Sequence, residues 1–83
     1  MIENGSIITL SNNKKYMITD STVEDGNIFY LTLEVDNITE LPTEESVFFK
    51  QTTNNTLIPI NNINDKDFLK NIFVNKFLEN FSE

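Results

Sequence analysis

The 83-residue sequence predicts an α+β domain: an antiparallel β-meander of four to five strands with one C-terminal α-helix packed on one face. Three observations predict it. In "IFYLTLEVD", Phe29, Leu31, Leu33 and Val35 alternate with Tyr30, Thr32, Glu34 and Asp36, the period of two that marks a half-buried antiparallel strand. Turn-forming clusters recur between short runs rich in β-formers. The last stretch, "DFLKNIFVNKFLENF" from Asp67 to Phe81, carries four phenylalanines at helical spacings.

Each element follows from these signals. "SIITL" predicts a strand over 6–10, and "SNNK" (Ser11–Lys14) the turn after it. "KKYMITDSTV" predicts a strand over 15–23, and "EDGN" (Glu24–Asn27) a hairpin turn into a strand over 28–36. "NITELPTEE" holds a proline and three acids and reads as a loop. "SVFFKQTT" predicts a strand over 46–52, Asn54–Asn55 a turn, and "TLIPI" a short strand over 56–60. Pro59 cannot donate to a ladder, so this strand belongs at an edge. The helix is expected over 65–80, with Asn64 as N-cap and Asp65 and Asp67 in its first turn, where the helix dipole favours anions. With no internal repeat and no dividing linker, residues 1–83 read as a single domain whose sheet has one solvated face.

Composition narrows the chemistry. The chain has no cysteine and no histidine, so a disulfide framework, a thiolate metal site and a His-based nucleophile system are all excluded. Gly5 and Gly26 are its two glycines, too few for a phosphate-cradling loop. The acid pairs Glu24–Asp25 and Glu44–Glu45 fall in predicted turns or loops, where nothing would desolvate them, so glycosidase-like chemistry is not expected. Asp20, Glu24, Asp25 and Asp36 offer oxygen ligands, but the EF-hand spacing is missing. The chain therefore reads as a non-enzyme with no catalytic residue, cofactor or metal. Tyr16, Tyr30 and Phe48 could form a base-stacking platform, although core or cross-strand packing accounts for them better.

The beginning, "MIENGSIITL", lacks a basic segment and a long apolar run, so no signal peptide is expected, and no stretch is apolar enough to span a membrane. A cytoplasmic location is the simplest expectation, and Asn4, Asn37 and Asn80 read as chance glycosylation tripeptides in an Asn-rich chain.

Charge is the sharper clue. The net charge is −7. Between Tyr16 and Phe49 lie Asp20, Glu24, Asp25, Glu34, Asp36, Glu40, Glu44 and Glu45 with no lysine among them. Such a field repels phosphate backbones, so direct nucleic-acid binding is not expected, and it attracts a basic surface. The same acidity also serves solubility.

Laid out at about 100° per residue, the helix shows two apolar patches. Phe68, Leu69 and Ile72 form one, expected on the sheet. Val74, Phe77, Leu78 and Phe81 form a second, rotated well past a right angle, and the two meet near Phe73. A bend or an end of the helix near Asn75, a second copy of the chain, or a different partner would each account for the second patch.

The succession "KKYMITD", "NIFYLTLEVD", "SVFFKQ", "TLIPI" and "DKDFLKNIF" resembles the DUF1292/UPF0473 family of small acidic bacterial proteins. "GNIFYLTLE" stands where that family has a Gly, a Tyr and an apolar run. "TLIPI" matches a Leu-x-Pro-Ile-like strand ending, and "DKDFLKNIF" matches an acidic cap followed by Phe and an apolar helix. The resemblance spans about Lys14 to Phe81; the present chain is Asn-rich where the family is Glu/Asp-rich. The family has no assigned activity, so the resemblance implies the fold and a non-enzyme, and transfers no site residue.

The functional expectation is a small acidic protein-binding module. Its candidate contact residues are Glu34, Asp36, Glu40, Glu44 and Glu45 on an acidic face, and Val74, Phe77, Leu78 and Phe81 on the helix. In its most concrete form it is an inhibitor of phage or mobile-element origin that occupies the basic groove of a nucleic-acid-handling host protein, as anti-CRISPR proteins do. The alternative is a structural or regulatory homodimer formed through the C-terminal helix, with acidity serving solubility.

Overall fold

The computed structural model describes residues 1–81. Five strands precede one helix: β1 (Ile7–Thr9), β2 (Lys15–Glu24), β3 (Asn27–Val35), β4 (Pro42–Gln51), β5 (Leu57–Pro59) and α1 (Ile63–Phe81). They form one curled antiparallel sheet in the order β1-β2-β3-β4-β5, so the chain is an α+β meander, as its sequence predicts. The β2–β3 hairpin turns on Asp25 and Gly26, both at positive φ (52° and 78°), the geometry of a two-residue turn matched to strand twist. β5 pairs with β4 alone, so Pro59 does lie on an edge strand.

Three expectations need correction. The first concerns the solvated face. Tyr30 and Thr32, assigned to the polar side of β3, are fully buried, and with Tyr16, Ile18 and Phe49 they fill the inside of the curl. The Tyr16 and Phe49 rings meet edge to face at 5.1 Å. Curling closes this face on itself, while the Phe29–Leu31–Leu33 face turns outward to receive the helix. A buried polar group must be paired, and both are: Thr32 Oγ1 donates to the Val47 carbonyl (2.8 Å), while the Tyr30 hydroxyl donates to Gln51 Oε1 (2.6 Å) and accepts from the Ile2 amide (3.0 Å). The N-terminal segment thus folds over the mouth of the curl.

The second concerns "NITELPTEE". β4 begins at Pro42, so Glu44 and Glu45 belong to a strand and not to a loop. Leu33 pairs with Ser46 and Val35 with Pro42, which leaves Glu34 opposite the whole of Thr43–Glu45. The strand survives this wide irregularity because Thr43 Oγ1 donates to the Glu34 carbonyl (2.9 Å) and accepts from the Glu45 amide (3.2 Å).

The third concerns the helix. Asn62, not Asn64, is its N-cap: Asn62 Oδ1 accepts from the amides of Asn64 (2.8 Å) and Asp65 (3.3 Å), and the helix starts at Ile63. It runs unbroken from Ile63 to Phe81, so the helix does not end near Asn75. Among the described helix side chains, Leu69 and Phe73 are the buried ones, whereas Phe68, expected on the sheet, is 54% exposed. Phe73 stacks on Phe48 of β4 with centroids 5.8 Å apart and planes 10° apart. Once that pair fixes the helix's rotation, Phe68 turns to the side.

A bulge anchors the far half of the helix. β2 pairs Ile18 with Thr32 but Asp20 with Leu31, so Thr19 is an inserted residue. Strict alternation would set Asp20 on the inner face with Tyr16 and Ile18. The insertion moves it to the face of Leu31, where Lys76 Nζ reaches Asp20 Oδ1 at 3.1 Å and also donates to the Ser21 carbonyl. The same ammonium lies 5.7 Å from the Phe73 ring centroid.

Candidate partner-binding surface

The β3–β4 pairing gathers the acidic candidates at one end of the sheet. Glu34 is the penultimate residue of β3, Asp36 and Glu40 lie in the connection, and Glu44 and Glu45 lie near the start of β4. All but Glu34 are exposed, and Glu34 is half-buried. Lys14 approaches Glu34 at 3.8 Å in a solvated pair worth little. The connection is tightly built: the Asp36 amide donates to the Leu41 carbonyl (2.9 Å), and the Glu40 amide to the Asp36 carbonyl (2.8 Å). Asp36 Oδ1 accepts from the amides of Thr39 (2.9 Å) and Ile38 (2.7 Å). Those donors, Thr39 first, hold the Asp36 carboxyl below its usual value.

Glu40 stands out in backbone terms. It occupies the left-handed region with φ 59°. Among the described residues, the others at positive φ are Asn13, Asp25, Asn55 and the two glycines, types that tolerate this conformation. Glu40 has no such tolerance, so the hairpin carries a carboxylate at a position where its backbone is strained.

Two exposed apolar residues share the hairpin. Ile38 is 93% exposed and Leu41 is largely exposed. Reading "NITELPTEE" as an acidic loop passed over both; isolated large apolar residues in a strongly polar stretch were the available signal.

On the helix, Val74, Phe77 and Leu78 are exposed, and the Phe81 side chain lies outside the described residues. Val74 and Phe77 form one wall of an open groove of about 570 Å³ between α1 and the sheet, with Phe73 beside them. Its floor is Leu31, Leu33 and Phe48; Thr19, Ser46 and Lys70 complete the lining. The sequence shows these apolar residues on β3, β4 and α1, but not that the helix leaves part of the outer face uncovered. That depends on the Thr19 bulge and the Lys76–Asp20 pair, both long-range.

The remaining candidates are dispersed. Tyr16 and Tyr30 lie in the inner core and Phe48 on the opposite face, so no common aromatic platform exists. Among the described residues no three Asp or Glu side chains approach closely enough to hold a metal ion. No helix among them is long and apolar enough to cross a membrane. Comparison with protein-family models, curated proteins and solved structures finds no match to this chain.

Proposed function

We propose that this protein is a non-catalytic binding module whose acidic β3–β4 hairpin engages a basic protein surface, most concretely the nucleic-acid-binding groove of a host protein. The observation that carries the reading is the gathering of Glu34, Asp36, Glu40, Glu44 and Glu45 at one sheet end, with Glu40 kept in a strained backbone conformation. Solubility alone needs charge anywhere on the surface; a docking face needs it concentrated and held in place. The Asp36 turn and the Thr43 clamp fix the backbone that carries it.

The test is retention of proteins from a native host lysate at low and high salt, by the wild type and by a variant with these five acids changed to Gln or Asn. The reading expects retained basic proteins that elute with added salt or with a DNA oligonucleotide, and that the neutral variant fails to hold. Equal retention by the neutral variant overturns it.

The exposed Val74, Phe77 and Leu78 support a second reading, a homodimer through α1. Light scattering separates the two. A helix dimer persists in high salt and dissociates on Leu78→Asp, whereas the acidic-face reading expects a monomer.

A further inference from the structure

The groove between α1 and the sheet has a polar end and an apolar length. Lys70, Phe73, Val74 and Phe77 line it from the helix, at spacings of three and four residues that make one stripe. Leu31, Leu33 and Phe48 line it from the sheet, and its one charged lining residue is Lys70. Ser46, Phe48 and Lys70 also line a second cleft of about 300 Å³, which brings in Lys66 and Asp67. Lys70 and Ser46 therefore stand together where the two clefts meet. Neither side chain has a hydrogen-bond or ion-pair partner among the described residues. The third polar lining residue, Thr19, already donates its hydroxyl to the Leu31 carbonyl (2.9 Å). The groove's open donors are thus confined to one end.

Its length can be read from the helix. From Lys70 to Phe77 is roughly 10 Å at about 1.5 Å per residue. An extended chain advances roughly 1.2 Å per bond, so about eight to ten carbons cover that distance. The volume, about 570 Å³, falls within the roughly 300–1,000 Å³ range of small-molecule clefts.

We infer that this groove binds a medium-chain fatty acid. Its hydrocarbon chain lies along Phe48, Val74 and Phe77, and its carboxylate meets Lys70 and Ser46. One cation and one hydroxyl at the end of an otherwise apolar trough match one anionic head on an apolar chain. A cationic amphiphile would set its charge against Lys70. The chain's net charge of −7 opposes any anion, but physiological salt screens that field beyond about 8 Å, so the ammonium in contact decides. The inference goes beyond the proposed acidic-face function and does not use it; either can fail alone.

The experiment titrates the full chain with hexanoate, octanoate, decanoate and dodecanoate at physiological salt, following amide shift changes. Decanol serves as the uncharged probe and decylammonium as the cationic one. Lys70→Met keeps an apolar stem and removes the charge. Val74→Gln makes the groove wall polar at a side chain that is 46% exposed, so the core stays intact.

The inference expects shifts at Leu31, Leu33, Phe48 and Lys70. Affinity should rise about two- to fourfold per added methylene, the upper figure being full burial, and level off between decanoate and dodecanoate. Lys70→Met should weaken decanoate about three- to fivefold, as for a solvated ion pair, and leave decanol unchanged. Val74→Gln should weaken both. An absence of shifts at the groove overturns the inference. So does equal decanoate binding by Lys70→Met, a decylammonium affinity at these residues equal to that of decanoate, or a rise that continues through dodecanoate, which marks partition onto apolar surface. Self-association of the ligand-free chain that Val74→Gln abolishes assigns the groove to a second copy and also overturns it. None of these outcomes bears on retention of basic proteins by the acidic hairpin.

Discussion

Adjacent helix residues Phe68 and Leu69 should respond in opposite ways to truncation, and this pair tests how α1 sits on the sheet. Leu69 is 1% exposed and Phe68 54% exposed. Leu-to-Ala changes at buried sites cost about 2–5 kcal/mol. Leu69 borders a separate cleft lined also by Phe29, Ile60 and Phe68, which gives the site some freedom to relax, so Leu69→Ala should cost about 3 kcal/mol within that range. For a domain of this size, each kcal/mol moves Tm by roughly 4–8 °C, so a fall of about 12–24 °C is expected. Phe68 keeps about half its surface in water when folded, so Phe68→Ala loses about 1 kcal/mol of burial. Alanine's better helix propensity returns up to about 0.5 kcal/mol. The net change should shift Tm by only a few degrees. Thermal melts followed by circular dichroism, with urea titrations to confirm an unchanged slope, give both values. Equal destabilisation by the two variants would refute the reasoning. The helix would then be turned on its axis by part of the roughly 100° between neighbours.

Tyr30→Phe should destabilise by about 1–3 kcal/mol in urea titrations, because it strips partners from Gln51 and the Ile2 amide at a fully buried site. A double-mutant cycle on Asp20→Ala and Lys76→Met should give a coupling of only about 0.5 kcal/mol, because both side chains are about a third exposed. For Asp36 the folded carboxyl titrates below its unfolded value. Its stabilising contribution is therefore complete above the unfolded value and lost as pH falls through the folded one. Stability curves of wild type and Asp36→Asn should accordingly differ at neutral pH and converge in acid. Glu40→Gly should relieve left-handed strain and raise stability by up to about 1 kcal/mol in the same titrations, while weakening retention of basic partners.

Elements were legible in this sequence where local chemistry decides them. The Asp25–Gly26 turn, the alternation along β3 and the position of Pro59 were all readable because each depends on a few adjacent residues. What failed was the inside-outside assignment. Period two shows that Tyr30 and Phe29 face opposite ways, but not which side the sheet curls toward. A tyrosine and a threonine read as solvent-facing until a partner such as Gln51 or the Val47 carbonyl is known. The acidic candidates were visible as a run of charge, yet their convergence required β4 to start at Pro42. The Thr43 clamp that permits this spans β3 and β4 and leaves no local pattern. On the helix, the two patches were real features of the sequence. Their division between sheet and solvent was misplaced by one residue, because the Phe48–Phe73 stack sets the rotation.

The strained and the apolar features of the β3–β4 connection bear on the same question. A hairpin selected only to connect two strands would place Gly or Asn where Glu40 stands and polar residues where Ile38 and Leu41 stand. Instead the chain holds a carboxylate in the left-handed region and exposes two large aliphatic side chains among acids. Each choice opposes stability or solubility on its own. With Glu44 and Glu45 near the start of β4, they interleave exposed apolar and anionic side chains along the β3–β4 hairpin. Under the proposed function, that mixture is expected to suit a basic protein surface with interleaved apolar side chains better than a second, equally acidic copy.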